Sequence, residues 1–65
     1  MEGIKQKREA LEITQKQLAD KMGVDRSTVA KWEAGAAFPA AAKLPKLAEV
    51  LGCSVADLFA KPETA

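Results

Sequence analysis

QKQLADKMGVDRSTVAKWE, residues 15–33, reads as two short helices joined at Gly23. Thr14 and Gln17 form a capping box, in which each side chain satisfies a backbone N–H of the other residue, so the spacing predicts a helix that starts at Gln15. Ile13 can staple onto Leu18, and Leu18, Ala19 and Met22 fall on one apolar stripe. Gly23 supplies the left-handed residue that ends this helix, and Asp25 is placed to N-cap a second one over residues 26–34. Ala19, four residues before Gly23, is small enough to let the two helices approach, with Val24 and Val29 filling the angle.

Two helices in this arrangement make a helix-turn-helix, whose second helix enters the DNA major groove. The inner face of that helix is Val29, Trp32 and Glu33. Trp32 reads as core because it shares this spacing, although a lone tryptophan can also stack on a base. The opposite stripe carries Ser27, Ala30, Lys31 and Ala34, with Arg26 at the N-terminal corner, and its small residues allow close approach to base edges. Arg26 can donate twice to guanine O6 and N7, Lys31 can reach guanine or phosphate, and the Ala30 methyl can meet a thymine methyl. Ser27 is assigned to a base edge and Thr28 to phosphate, each hydroxyl being suited to either. Gln15 and Lys16, at the start of the preceding helix, are candidates for phosphate because free backbone N–H groups there already favour an anion.

The pattern T-Q-x-x-L-A-x-x-x-G-V-x-x-S-T-V-x-x-W-E-x-G, from Thr14 to Gly35, resembles the helix-turn-helix family of phage Cro and repressor proteins and their bacterial relatives, the XRE-type regulators. The similarity runs from about Ile4 to Phe59. It implies an all-α five-helix bundle and double-stranded DNA as partner. Relatives use the position of Gln15 for phosphate, and commonly join the positions of Arg8 and Glu33 by an internal ion pair. They often place Asn before the glycine at position 35 and basic residues after it; Ala34, Ala36 and Ala37 depart from that, leaving Lys43 as the phosphate candidate of the loop. In Cro and repressor relatives the region of helices 4 and 5 joins two subunits. Val50, Val55, Leu58 and Phe59 cannot all face a core this small and are the candidate interface of a weak homodimer.

The remaining segments fit this plan. Residues 3–12 read as the first helix, with Ile4, Arg8 and Leu11 on one side. A charge within an apolar stripe needs a partner, for which Glu33 is the candidate, unless Arg8 reaches out to solvent. Phe38 is expected to plug the loop after Gly35 onto the core. Pro45 suits a first helical turn, so a fourth helix runs from about 45 to 51 after a loose turn at 41–44, with Leu44, Leu47, Ala48 and Leu51 inward. Ser54 with Asp57 is a second capping box that starts a fifth helix over about 55–60, and Cys53 can staple onto Leu58. The domain is placed at residues 1–61, followed by a polar tail at 62–65.

Composition sets bounds. Sixty-five residues support one small core, with stability of roughly 3 to 5 kcal/mol. Ten Lys and Arg against nine Asp and Glu leave a net charge of +1, so DNA binding rests on where the cations are placed and not on their total. One cysteine and no histidine argue against a disulfide, a zinc site or a histidine-based enzyme. No cofactor, small-molecule ligand or membrane partner is expected, and a cytosolic location follows from the absence of an apolar leader or span. The rival expectation, supported by the low charge and alanine-rich loop, is a protein-interaction module on the same scaffold, such as an antitoxin.

Overall fold

The computed structural model describes residues 1–59, and the assignments made above for residues 60–65 lie outside them. Five helices form in order: α1 (Glu2–Ala10), α2 (Gln15–Met22), α3 (Arg26–Ala34), α4 (Leu44–Leu51) and α5 (Val55–Leu58), with a single 3-10 turn, Ala41–Lys43, leading into α4. Each helix contributes apolar side chains to one core. Ile4, Leu18, Val29, Leu47 and Leu58 are fully buried there, and Ala19, Met22, Trp32, Ala48 and Leu51 are nearly so.

The local signals explain most boundaries. Both capping boxes close: the Gln17 N–H donates to Thr14 Oγ1 at 3.0 Å and the Thr14 N–H to Gln17 Oε1 at 2.7 Å, while Ser54 and Asp57 exchange the same pair of bonds at 3.2 Å each. Gly23 ends α2 at φ 72°, a conformation that costs residues with a Cβ about 1–2 kcal/mol. Pro45 lies in the first turn of α4, where its missing N–H breaks no helical bond.

Three packing expectations are corrected. Helix α1 stops at Ala10 instead of reaching residue 12, because Glu12 turns the chain through a left-handed φ of 59°. The apolar spacing is broken before Leu11, which is 48% exposed, and the partly buried Ile13 packs against the core in its place. Phe38 does not plug the loop. A residue before proline is held extended, and neighbours in an extended chain point to opposite sides; Pro39 is buried, so Phe38 faces outward at 69% exposure. Leu58 is fully buried within its own chain and cannot form a subunit contact.

The burial of Leu58 depends on a residue far from it in sequence. A methyl group at Gly3 would lie 2.2 Å from the Asp57 carbonyl oxygen and 2.5 Å from that of Leu58, so only glycine lets α1 close on α5. Both obstacles are backbone atoms that cannot rotate away. Gly3→Ala is expected to cost about 1–3 kcal/mol, a large share of the total, whereas Gln6→Ala on the exposed side of α1 stays within about 0.5 kcal/mol. Urea denaturation followed by circular dichroism measures both.

Candidate nucleic-acid interface

The exposed side of α3 is available because its other side is fixed at one carboxylate. Glu33, in the last turn of α3, has a side chain only 4% exposed. Its Oε2 accepts from Arg8 Nε at 2.7 Å, and its Oε1 accepts from Arg8 Nη2 at 3.2 Å and from Gln15 Nε2 at 3.1 Å. Arg8 Nη1 donates to the Ile13 carbonyl at 2.8 Å. One carboxylate therefore ties α3 to α1, through Arg8, and to the first residue of α2. The hydrogen bond to Glu33 raises the already high pKa of Arg8, against the opposing effect of burial. No buried side-chain nitrogen or oxygen among the described residues lacks a partner.

With Val29, Trp32 and Glu33 turned inward, Arg26, Ser27, Lys31 and Ala34 are exposed along one stripe, and Ala30 is partly so. Neither Arg26 nor Lys31 forms an ion pair among the described residues, so neither charge is engaged by the fold. Thr28 is half-buried at the edge of the stripe, its N–H held by the Asp25 carbonyl at 3.0 Å. Asp25 occupies the N-cap position, but its carboxylate accepts no capping hydrogen bond. Asp25 thus takes the expected position at the start of α3 without the side-chain bond expected of an N-cap.

Gln15 and Lys16 begin α2, with Gln15 bonded to Glu33 in the last turn of α3. Their backbone N–H groups lie in the first turn, where helix geometry provides no internal acceptor. Lys16 Nζ is 3.4 Å from Asp20 Oδ2, with both side chains about 70% exposed, a surface pair worth little. Lys43 is exposed at the end of the 3-10 turn. The Gln15–Glu33 bond was not foreseen from sequence. Eighteen positions separate the two residues, and only the docking of α2 on α3 brings them together. Cys53 is partly buried, and burial followed by the nearby Asp57 carboxylate raises its thiol pKa, with Lys7 opposing; this favours the unreactive thiol.

Removing one partner of the Arg8–Glu33 pair leaves an uncompensated charge in the interior. Arg8→Ala is expected to cost about 3–5 kcal/mol, enough to unfold most of the protein, while the paired replacement Arg8→Met with Glu33→Leu recovers most of that loss. A double-mutant cycle by denaturation checks this through the coupling between the two sites.

A helix-turn-helix family model matches residues 4–58. No curated protein and no solved structure matches the chain. The matched span covers all of α2, the Gly23 turn and α3, together with the helices that support them. The chain belongs to the helix-turn-helix family of Cro- and repressor-type DNA-binding proteins.

Proposed function

We propose that this protein is a sequence-specific regulator that represses transcription by occupying a palindromic operator as a weak homodimer, with α3 in the major groove, in a bacterial or phage-infected cell. The observation that carries this reading is the division of α3 into two faces. One face is immobilised by Arg8, Gln15 and the core; the other presents Arg26, Ser27, Ala30 and Lys31 without internal partners among the described residues. In this reading Arg26 donates to guanine, Lys31 to guanine or phosphate, Ser27 to a base edge, and Ala30 meets a thymine methyl. Gln15, Lys16, Thr28 and Lys43 hold phosphates and set the depth of α3. Gln15 is suited to this because its amide has two N–H donors, of which Glu33 uses one. The reading requires no catalysis.

The rival, a module that binds another protein, draws on Phe38 and Phe59, which are 69% and 55% exposed. Arg26 separates the two readings. Selection from a random duplex pool is expected to return a two-fold symmetric site, and Arg26→Ala to lose preference at one guanine per half-site. Lys16 and Lys43, with Lys31 where it takes phosphate, predict that log affinity falls with log salt at a slope of about 2 to 3 per bound subunit, near 0.9 for each phosphate neutralised. No enriched sequence at low salt, or a flat salt response, favours the protein-binding rival.

A further inference from the structure

Three helices start after a residue whose side chain suits an N-cap, and one of those side chains is left unused. Thr14 and Ser54 each close a capping box, whereas Asp25, in the same position before α3, makes no capping bond. A box takes an acid or an amide three residues on, and that position in α3 is Thr28. The Thr28 N–H, which a capping side chain would take, donates to the Asp25 carbonyl oxygen at 3.0 Å, and that oxygen also accepts from the Val29 N–H at 3.3 Å. The start of α3 is thus satisfied by backbone, without the carboxylate.

The carboxylate has no other occupation in the fold. Asp25 is exposed, and it forms no ion pair among the described residues. Arg26 follows it directly, but adjacent positions at a helix do not face each other. Val24 packs partly against the core, and Asp25, extended at φ −76° and ψ 152°, lies on the solvent side of the chain.

We infer that Asp25 is a specificity-determining residue, its carboxylate accepting a hydrogen bond from a cytosine N4 amino group in the base pair next to the guanine read by Arg26. This inference rests on the operator reading above and adds a base to it. In a helix-turn-helix the N-terminal residues of the second helix contact base edges. Consecutive Cα atoms are about 3.8 Å apart and base pairs about 3.4 Å, so Asp25 and Arg26 match adjacent pairs. An ionised carboxylate only accepts. In the major groove only cytosine N4 and adenine N6 donate, and adenine sets its N7 acceptor beside the amino group, where it opposes the second carboxylate oxygen. Cytosine presents the donor alone. Every other base edge, and every phosphate, repels the acid, so Asp25 acts by penalising wrong sites. It lowers affinity for DNA at large and raises the contrast with the operator.

Asparagine separates this role from a structural one. It caps a helix as well as aspartate does, but it carries a donor beside its acceptor, the pair that fits adenine N6 and N7. Selection from a random duplex pool is run with the unaltered protein, Asp25→Asn and Asp25→Ala, each checked for helix content by circular dichroism. The unaltered protein is expected to prefer cytosine beside the Arg26-dependent guanine by about fivefold or more. Asp25→Asn moves that preference to adenine, and Asp25→Ala abolishes it while keeping the guanine. Both variants bind a random-sequence duplex about twofold or more tightly than the unaltered protein. Asp25→Asn decides by itself if the alanine variant does not fold. The same preferred site in all three proteins overturns the assignment, and so does loss of the guanine preference in Asp25→Ala, which would make Asp25 a support for Arg26. A symmetric site without cytosine at that position removes this assignment alone. No enriched sequence for the unaltered protein removes the operator reading, and this assignment with it.

Discussion

The Glu33 carboxylate is the point on which the arrangement depends. A charge this deeply buried is tolerated only when its oxygens are filled, and here Arg8 and Gln15 supply three N–H bonds from two other helices. The consequence is mechanical as well as energetic. α3 is a nine-residue helix, too short to hold its shape alone, yet its rotation about its own axis is fixed by Glu33 at one end and by Val29 and Trp32 along its length. That rotation decides which residues face outward. A groove-reading helix needs such a constraint, because a turn of a few tens of degrees would move Arg26 and Lys31 off the base edges they are proposed to contact.

The low net charge fits the same logic. Nine acidic residues nearly cancel ten basic ones over the whole chain, yet Glu33 is withdrawn from the surface and Arg8 with it. What remains unpaired by the fold on the α3 stripe is positive. Function follows from which charges the core neutralises, and total charge is a poor guide to it. Asp25 is the exception, an acid at the N-terminal corner with no capping bond, and its nearness to Arg26 moderates the potential there.

Much of this was legible in sequence because the governing interactions are local. Thr14 with Gln17, Ser54 with Asp57, and the glycines at 23, 35 and 52 mark helix ends within a few residues, and the apolar stripes of α2, α3 and α4 follow from period alone. The failures arise from local backbone turns and from contacts between distant segments. Leu11 was placed inward by extending a period past the point where Glu12, an unexpected left-handed residue, ends it. Phe38 was placed inward by its size, when the proline after it decides the side it faces. Gly3 and the Gln15–Glu33 bond depend on contacts between distant segments, which carry no pattern in one sequence. Counting apolar residues against the size of the core places Leu58 at a surface, whereas the close approach allowed at Gly3 makes room for it inside.

The most direct test of the central claim, that the exposed face of α3 contacts DNA while the Glu33 cluster holds that helix in place, is amide shift mapping on addition of duplex at low salt. The account predicts shifts concentrated at Gln15, Lys16 and Arg26 through Lys31, with little change at Leu47, Ala48 and Leu51 in the interior. Shifts absent from α3, or centred on another surface while α3 stays unchanged, would contradict it.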